Sequence, residues 1–189
     1  MSQTDHLDFI CGQWAEQLPD LNTDAMQLIG RVYRLYHYLL PEIEACHKRF
    51  GLNFGEFDVI ATLLRSGDPW TLTPTELFQS AMLSSGAMTN RLNRLEKAGL
   101  ISRKPSATDR RSLLVVLTFA GRAVAHRAVI AHMENLNRLT AHLAKQDKQL
   151  LTGQLRSWLL GYELPDEAEN GQQNDDGDED SDGEDTATS

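Results

Sequence analysis

Apolar residues recur along most of this chain at steps of three and four, the period of an amphipathic helix. Leu7, Ile10, Trp14 and Leu18 predict a short helix over 5–18, ended by Pro19. Asn22, Thr23 and Asp24 offer caps for a second helix over 24–49, with the stripe Ile29, Val32, Tyr33, Tyr36, Leu40 and Ile43. Pro41 lies inside it and predicts a kink, because proline removes a backbone donor and its ring crowds the preceding turn. Over 54–66, Phe57, Ile60, Ala61 and Leu64 form one stripe while Val59 and Leu63 lie elsewhere, the pattern of a largely buried helix. Gly67-Asp68-Pro69 stops it.

The elements then shorten. Thr73-Pro74-Thr75-Glu76 combines a cap, a proline suited to the first helical position and a capping-box glutamate, and it predicts a helix over 74–81. Ser84 or Ser85 can cap the next helix, 85–98, which Gly99 ends in the left-handed conformation. Two short helices joined by a tight turn make a helix-turn-helix. Leu113–Leu117 is short, β-branched and leucine-rich, and reads as a buried strand with 100–103 as its hairpin partner; such a hairpin is a wing. Thr118 caps a long helix over 119–143, and a final helix over 147–162 carries Leu151, Leu155, Trp158, Leu159 and Tyr162. The fold class is mainly α with a small β-hairpin wing.

Charge sharpens this picture. The net charge of −9 is wrong for a nucleic-acid binder, but eleven of the 27 acidic residues lie in 165–189, which holds no basic residue, no aromatic and no large aliphatic. Such a segment cannot bury enough apolar surface to offset its ordering entropy and predicts a disordered acidic tail. Within 84–118 seven basic residues face two acidic ones, a local basic footprint. On a helical wheel Met88, Leu92 and Leu95 cluster inward, whereas Thr89, Asn90, Asn93, Arg94 and Lys97 turn away. With Ser85 at the helix start, these form a major-groove reading set: Asn suits adenine, Arg guanine, and the Thr methyl suits thymine. Arg110 and Arg111 at the hairpin tip suit a minor groove or phosphates.

Other chemistries fare worse. Six scattered histidines, and no phosphate loop, nucleophile elbow or paired carboxylates outside the tail, leave no catalytic residues, metal site or cofactor to propose, so an enzyme is not expected. No apolar run approaches the ~20 residues of a membrane span. The opening residues lack a basic secretion-signal region, and the two cysteines, Cys11 and Cys46, fit a reducing cytoplasm.

Asp109-Arg110-Arg111 followed by a strand ending Leu117-Thr118, together with Leu77–Leu100 around Ser84-Ser85-Gly86-Ala87-Met88-Thr89-Asn90-Arg91-Leu92, resembles the MarR family of winged helix-turn-helix regulators over roughly 22–162. That resemblance implies a homodimer built from the terminal helices, binding a palindromic operator in double-stranded DNA, with a ligand pocket between lobes. The chain then divides into an N-terminal extra helix (5–19), a dimerisation region (22–50 and 119–162), a winged DNA-binding domain (54–118) and the tail (165–189). A narrower resemblance is to the urate-responsive, HucR- and PecS-like branch. The extra helix with Trp14 matches it, Asp58 matches its pocket acid, and Arg91 and Arg103 match its pocket arginines. The implied effector is urate or a similar purine or aromatic anion, with ligand-relieved repression as the output. On the wheel Arg91 lies only ~70° from the apolar face, so it can point toward the body. The other reading makes Trp14 a core anchor, Asp58 a cap or surface charge, and both arginines phosphate clamps. Two further functions stay open: a thiol-redox sensor through Cys11, and a non-specific architectural DNA-binding protein.

Overall fold

The computed structural model describes residues 4–82, 88–105 and 113–164. Its elements are α1 (His6–Gln17), α2 (Asp24–Lys48), α3 (Phe54–Arg65), β1 (Thr71–Leu72), α4 (Pro74–Ser80), α5 (Met88–Lys97), β2 (Ile101–Pro105), β3 (Leu113–Leu117), α6 (Phe119–Leu139) and α7 (Lys145–Glu163). The acidic tail and the hairpin tip at 106–112 lie outside the described residues. The chain forms two units, residues 1–141 and 142–189.

Local sequence dictates most of the helix ends. Asp5, Asn53 and Thr73 each accept from the backbone N–H three residues on, and Asp8, Glu56 and Glu76 return the bond, giving three capping boxes. At α2 the structure selects Asn22 among the three caps the sequence offers. Thr23 makes no side-chain cap bond, and Asn22 Oδ1 instead accepts from Asp24 N at 2.8 Å. Helix α2 also runs unbroken through Pro41.

The core of the first unit forms around α3, whose two apolar sides are both covered. Ile60, Leu63, Leu77, Leu95 and Val115 are fully buried. Each such side chain contributes roughly 2 kcal/mol of transfer free energy. The wing strands pair antiparallel with Arg103 opposite Val115. A third strand was not expected: β1 pairs with β3, Thr71 opposite Val116 and Leu72 opposite Val115, giving the order β1-β3-β2.

The start of α6 is joined to the end of α5. Gly99 closes α5 with φ 70°. Thr118 N–H donates to Leu100 O at 3.1 Å, and Thr118 Oγ1 donates to Gly99 O at 2.7 Å. Gly121 lies so close to the Leu100 carbonyl that a Cβ there would collide with backbone.

The stripe read on α2 does not enter this core. Tyr33 is 71% exposed, and Leu28, Ile29 and Tyr36 are also exposed. In the second unit none of the residues of α7 is buried, and Leu151, Leu155 and Leu159 are exposed. Among the described residues no helix is long and apolar enough to cross a membrane.

Candidate nucleic-acid interface and adjoining cavity

Helix α5 separates its faces as its sequence requires. Met88, Leu92 and Leu95 are buried, while Thr89, Asn90, Asn93, Arg94 and Lys97 are exposed. Ser85, Arg110 and Arg111 lie outside the described residues. Two of the exposed side chains are held from behind. Arg94 Nε meets Glu56 Oε1 at 2.8 Å. Asn93 Oδ1 accepts from Arg103 Nη2. Arg103 in turn donates its backbone N–H to Glu96 Oε1 at 3.1 Å, and its Nε lies 3.4 Å from Glu96 Oε2, a charge contact outside hydrogen-bond geometry. Glu56 was not singled out in sequence. Its capping box with Asn53 was legible there, but its reach to Arg94 was not.

Arg91 is half-buried and lies across the first turn of α3, packed onto Gly55 so closely that any Cβ at Gly55 would strike its guanidinium. It lines a cleft of about 310 Å³ with Asn53, Glu56, Asn90 and Arg94.

Asp58 is buried, and its Oδ2 accepts from Met82 N at 3.1 Å, tying α3 to the chain just after α4. It lines a mainly apolar cavity of about 560 Å³ with Phe57, Arg65, Met82, His132 and Met133. His132 Nδ1 lies 3.1 Å from Nε2 of the fully buried His47, whose ring stacks on Phe57 at 3.9 Å between centroids. Burial, and secondarily the neighbouring His132, lowers the His47 pKa from 6.5 to about 4. Burial also lowers that of His132.

Among the cavities formed by the described residues, none described is lined by more than one of the four expected effector residues. Asp58, Arg91 and Arg103 line three different ones, and Trp14, 41% exposed on α1, lines none of those described. Helix α1 is fastened to α2 by Arg31, which bonds Asp5 at 2.8 Å and Asp8 at 2.6 Å. Cys11 on α1 is half-buried and Cys46 is buried. Among the described residues no group of three or more His, Cys, Asp or Glu is placed to hold a metal.

A helix pair whose second member presents a polar, cationic face, followed by an antiparallel hairpin, defines a winged helix-turn-helix DNA-binding protein. Comparison with known proteins agrees. The MarR family model matches residues 50–112. The transcriptional regulator PecS of Dickeya dadantii is 33% identical over 139 residues, 74% of this chain and 84% of that protein. The transcriptional repressor Rv2887 of Mycobacterium tuberculosis is 36% identical over 124 residues, 64% of this chain and 87% of that one. Its structure with p-aminosalicylic acid matches with TM-score 0.54 and 30% identity, covering 69% of this chain and 97% of that chain. The regulator Sco3205 of Streptomyces coelicolor, in complex with DNA, shares the fold with TM-score 0.66 and 22% identity, over 77% and 92% of the two chains. The chain belongs to the MarR family, and the matched members are transcriptional regulators.

Proposed function

We propose that this protein acts in the cytoplasm as a repressor that binds a palindromic operator as a homodimer, and that a small planar aromatic anion such as urate releases it. The carrying observation is the divided surface of α5, with Met88, Leu92 and Leu95 inside and Thr89, Asn90, Asn93, Arg94 and Lys97 outside. Ser85, Arg110 and Arg111 complete the proposed DNA-binding set. A two-fold dimer then reads half-sites about 10 bp apart. A second copy is the occupant proposed for the uncovered apolar stripes of α2 and α7, within the dimerisation region 22–50 and 119–162.

The effector site is proposed at Trp14, Asp58, Arg91 and Arg103. Support comes from the buried Asp58 beside an apolar cavity, from the PecS relative, and from the aromatic acid bound by Rv2887. Asp58, Arg91 and Arg103 line different cavities on α3, α5 and β2, so an anion that engages more than one of them favours a different arrangement of these elements. That difference is what releases DNA, because a ligand with equal affinity for both states shifts nothing. Repulsion at Asp58 weakens its bond to Met82 and frees the chain just after α4.

The test is a mobility-shift titration on the DNA upstream of its own gene, with and without urate and p-aminosalicylate. Footprinting accompanies it, because uniform coverage would indicate an architectural protein. Trp14 fluorescence is followed in wild type, Asp58→Asn and Arg103→Ala. No saturable binding by wild type, or unchanged affinity in both variants, refutes the effector site. Peroxide-driven release that Cys11→Ser abolishes would favour a thiol sensor instead.

A further inference from the structure

We infer that Glu56 is a positioning residue for base recognition, acting through Arg94; this rests on the reading of α5 as the helix that enters the major groove. The carboxylate is fixed before Arg94 arrives. Glu56 Oε2 accepts from Asn53 N at 2.9 Å, and Asn53 Oδ1 accepts from Glu56 N at 2.9 Å. The side chain is 4% exposed and has one oxygen left over. Its Oε1 lies 2.8 Å from Arg94 Nε, a charge contact outside hydrogen-bond geometry, while the Arg94 side chain is 68% exposed.

The geometry of arginine makes this contact selective. A guanidinium offers five N–H donors in one plane, and its long stem ordinarily samples many rotamers. A buried carboxylate held against Nε limits how far the head of Arg94 can swing. The two terminal nitrogens make no hydrogen bond to Glu56 and form the fork that can pair with O6 and N7 of guanine. Glu56 thus lowers the ordering cost of Arg94 at the moment of recognition. It also places a negative charge beneath the DNA-facing surface, which opposes phosphate attraction at any sequence. A merely structural ion pair would share the charge effect but would leave discrimination among bases unchanged.

These two effects have opposite signs in one variant. Glu56→Gln keeps an acceptor for the capping box but loses the charge. Full-length protein is titrated against an operator library with each position varied, and against non-operator DNA at the same low salt. Glu56→Gln is expected to lose about tenfold in discrimination for guanine at the position read by Arg94, while its affinity for non-operator DNA rises. Glu56→Asp keeps the charge on a shorter stem, so it should restore the low non-operator affinity but not the discrimination. Arg94→Ala and the double variant should discriminate equally. Unfolding midpoints of each variant show whether the fold is intact. Glu56→Gln discriminating like wild type, or the double variant losing more than Arg94→Ala, overturns the inference. If wild type prefers no sequence at all, the reading of α5 fails first, and that result is visible before any variant is made.

Discussion

The buried histidine pair makes stability depend on pH in a calculable way. His47 is fully buried against Phe57, its Nε2 is shared with His132, and its Nδ1 has no hydrogen-bond partner. A proton added to Nδ1 would therefore be a buried donor with nothing to bond. The unfolded imidazole takes its proton near pH 6.5, but the folded one not until about pH 4. Across that window the unfolded chain binds more protons, so stability is full above it and falls as pH falls. For one group with these two values the loss is about 2 kcal/mol on going from about pH 8 to about pH 5, and about 3 kcal/mol by about pH 4. The lowered pKa of His132 adds in the same direction. The assay is urea unfolding followed by circular dichroism at fixed protein concentration, comparing wild type with His47→Gln, which keeps a neutral partner for His132 and cannot titrate. The variant should lose the His47 share of the pH dependence. An identical fall in stability from about pH 8 to about pH 5 in both proteins would show that His47 is not the group held neutral.

Three further outcomes are expected. Gly121→Ala should destabilise by about 3 kcal/mol or more, because its methyl meets the Leu100 backbone; an unchanged unfolding midpoint would mean that α6 has slack at this point. Thr73→Ala should cost about 1 kcal/mol by removing the α4 cap. Hydrogen bonds from the backbone and side chain of Thr73 hold the Glu76 carboxyl below its ordinary value, so this difference should shrink in acid as Glu76 protonates; a constant difference would argue against the bond from the Thr73 hydroxyl to the Glu76 carboxylate. Removing residues 165–189 should raise affinity for non-operator DNA at low salt and leave it unchanged at high salt; equal affinities at low salt would refute competition by the tail.

Features set by neighbours along the chain were legible in advance. The Thr73–Glu76 box, the Thr118 cap and the division of α5 each depend on residues within one or two turns. What escaped depends on contacts across the chain. Strand β1 has two residues and exists only because β3 lies beside it. His47 and His132 are 85 positions apart, and the Glu56–Arg94 pair joins two helices. The stripe on α2 illustrates a different limit. Periodicity shows that a face is apolar but not whose surface covers it, and this chain alone leaves Tyr33 and Tyr36 open. The effector residues came from resemblance, and Asp58, Arg91 and Arg103 each line a different cavity of the chain.

The joint between Gly121 and Leu100 makes α6 a lever with its fulcrum at the foot of α5. His132 stands eleven residues along, about 16 Å from that fulcrum at helical rise. A sideways push of about 1 Å at His132 therefore turns the helix by roughly 3.5°. The Thr118 bonds to Gly99 and Leu100 carry that turn to the end of the reading helix. The lever responds to displacement and not to the chemistry that causes it. If the proposed effector enters the cavity beside His132, one aromatic ligand can be exchanged for another by changing its lining while the exposed face of α5 stays as it is.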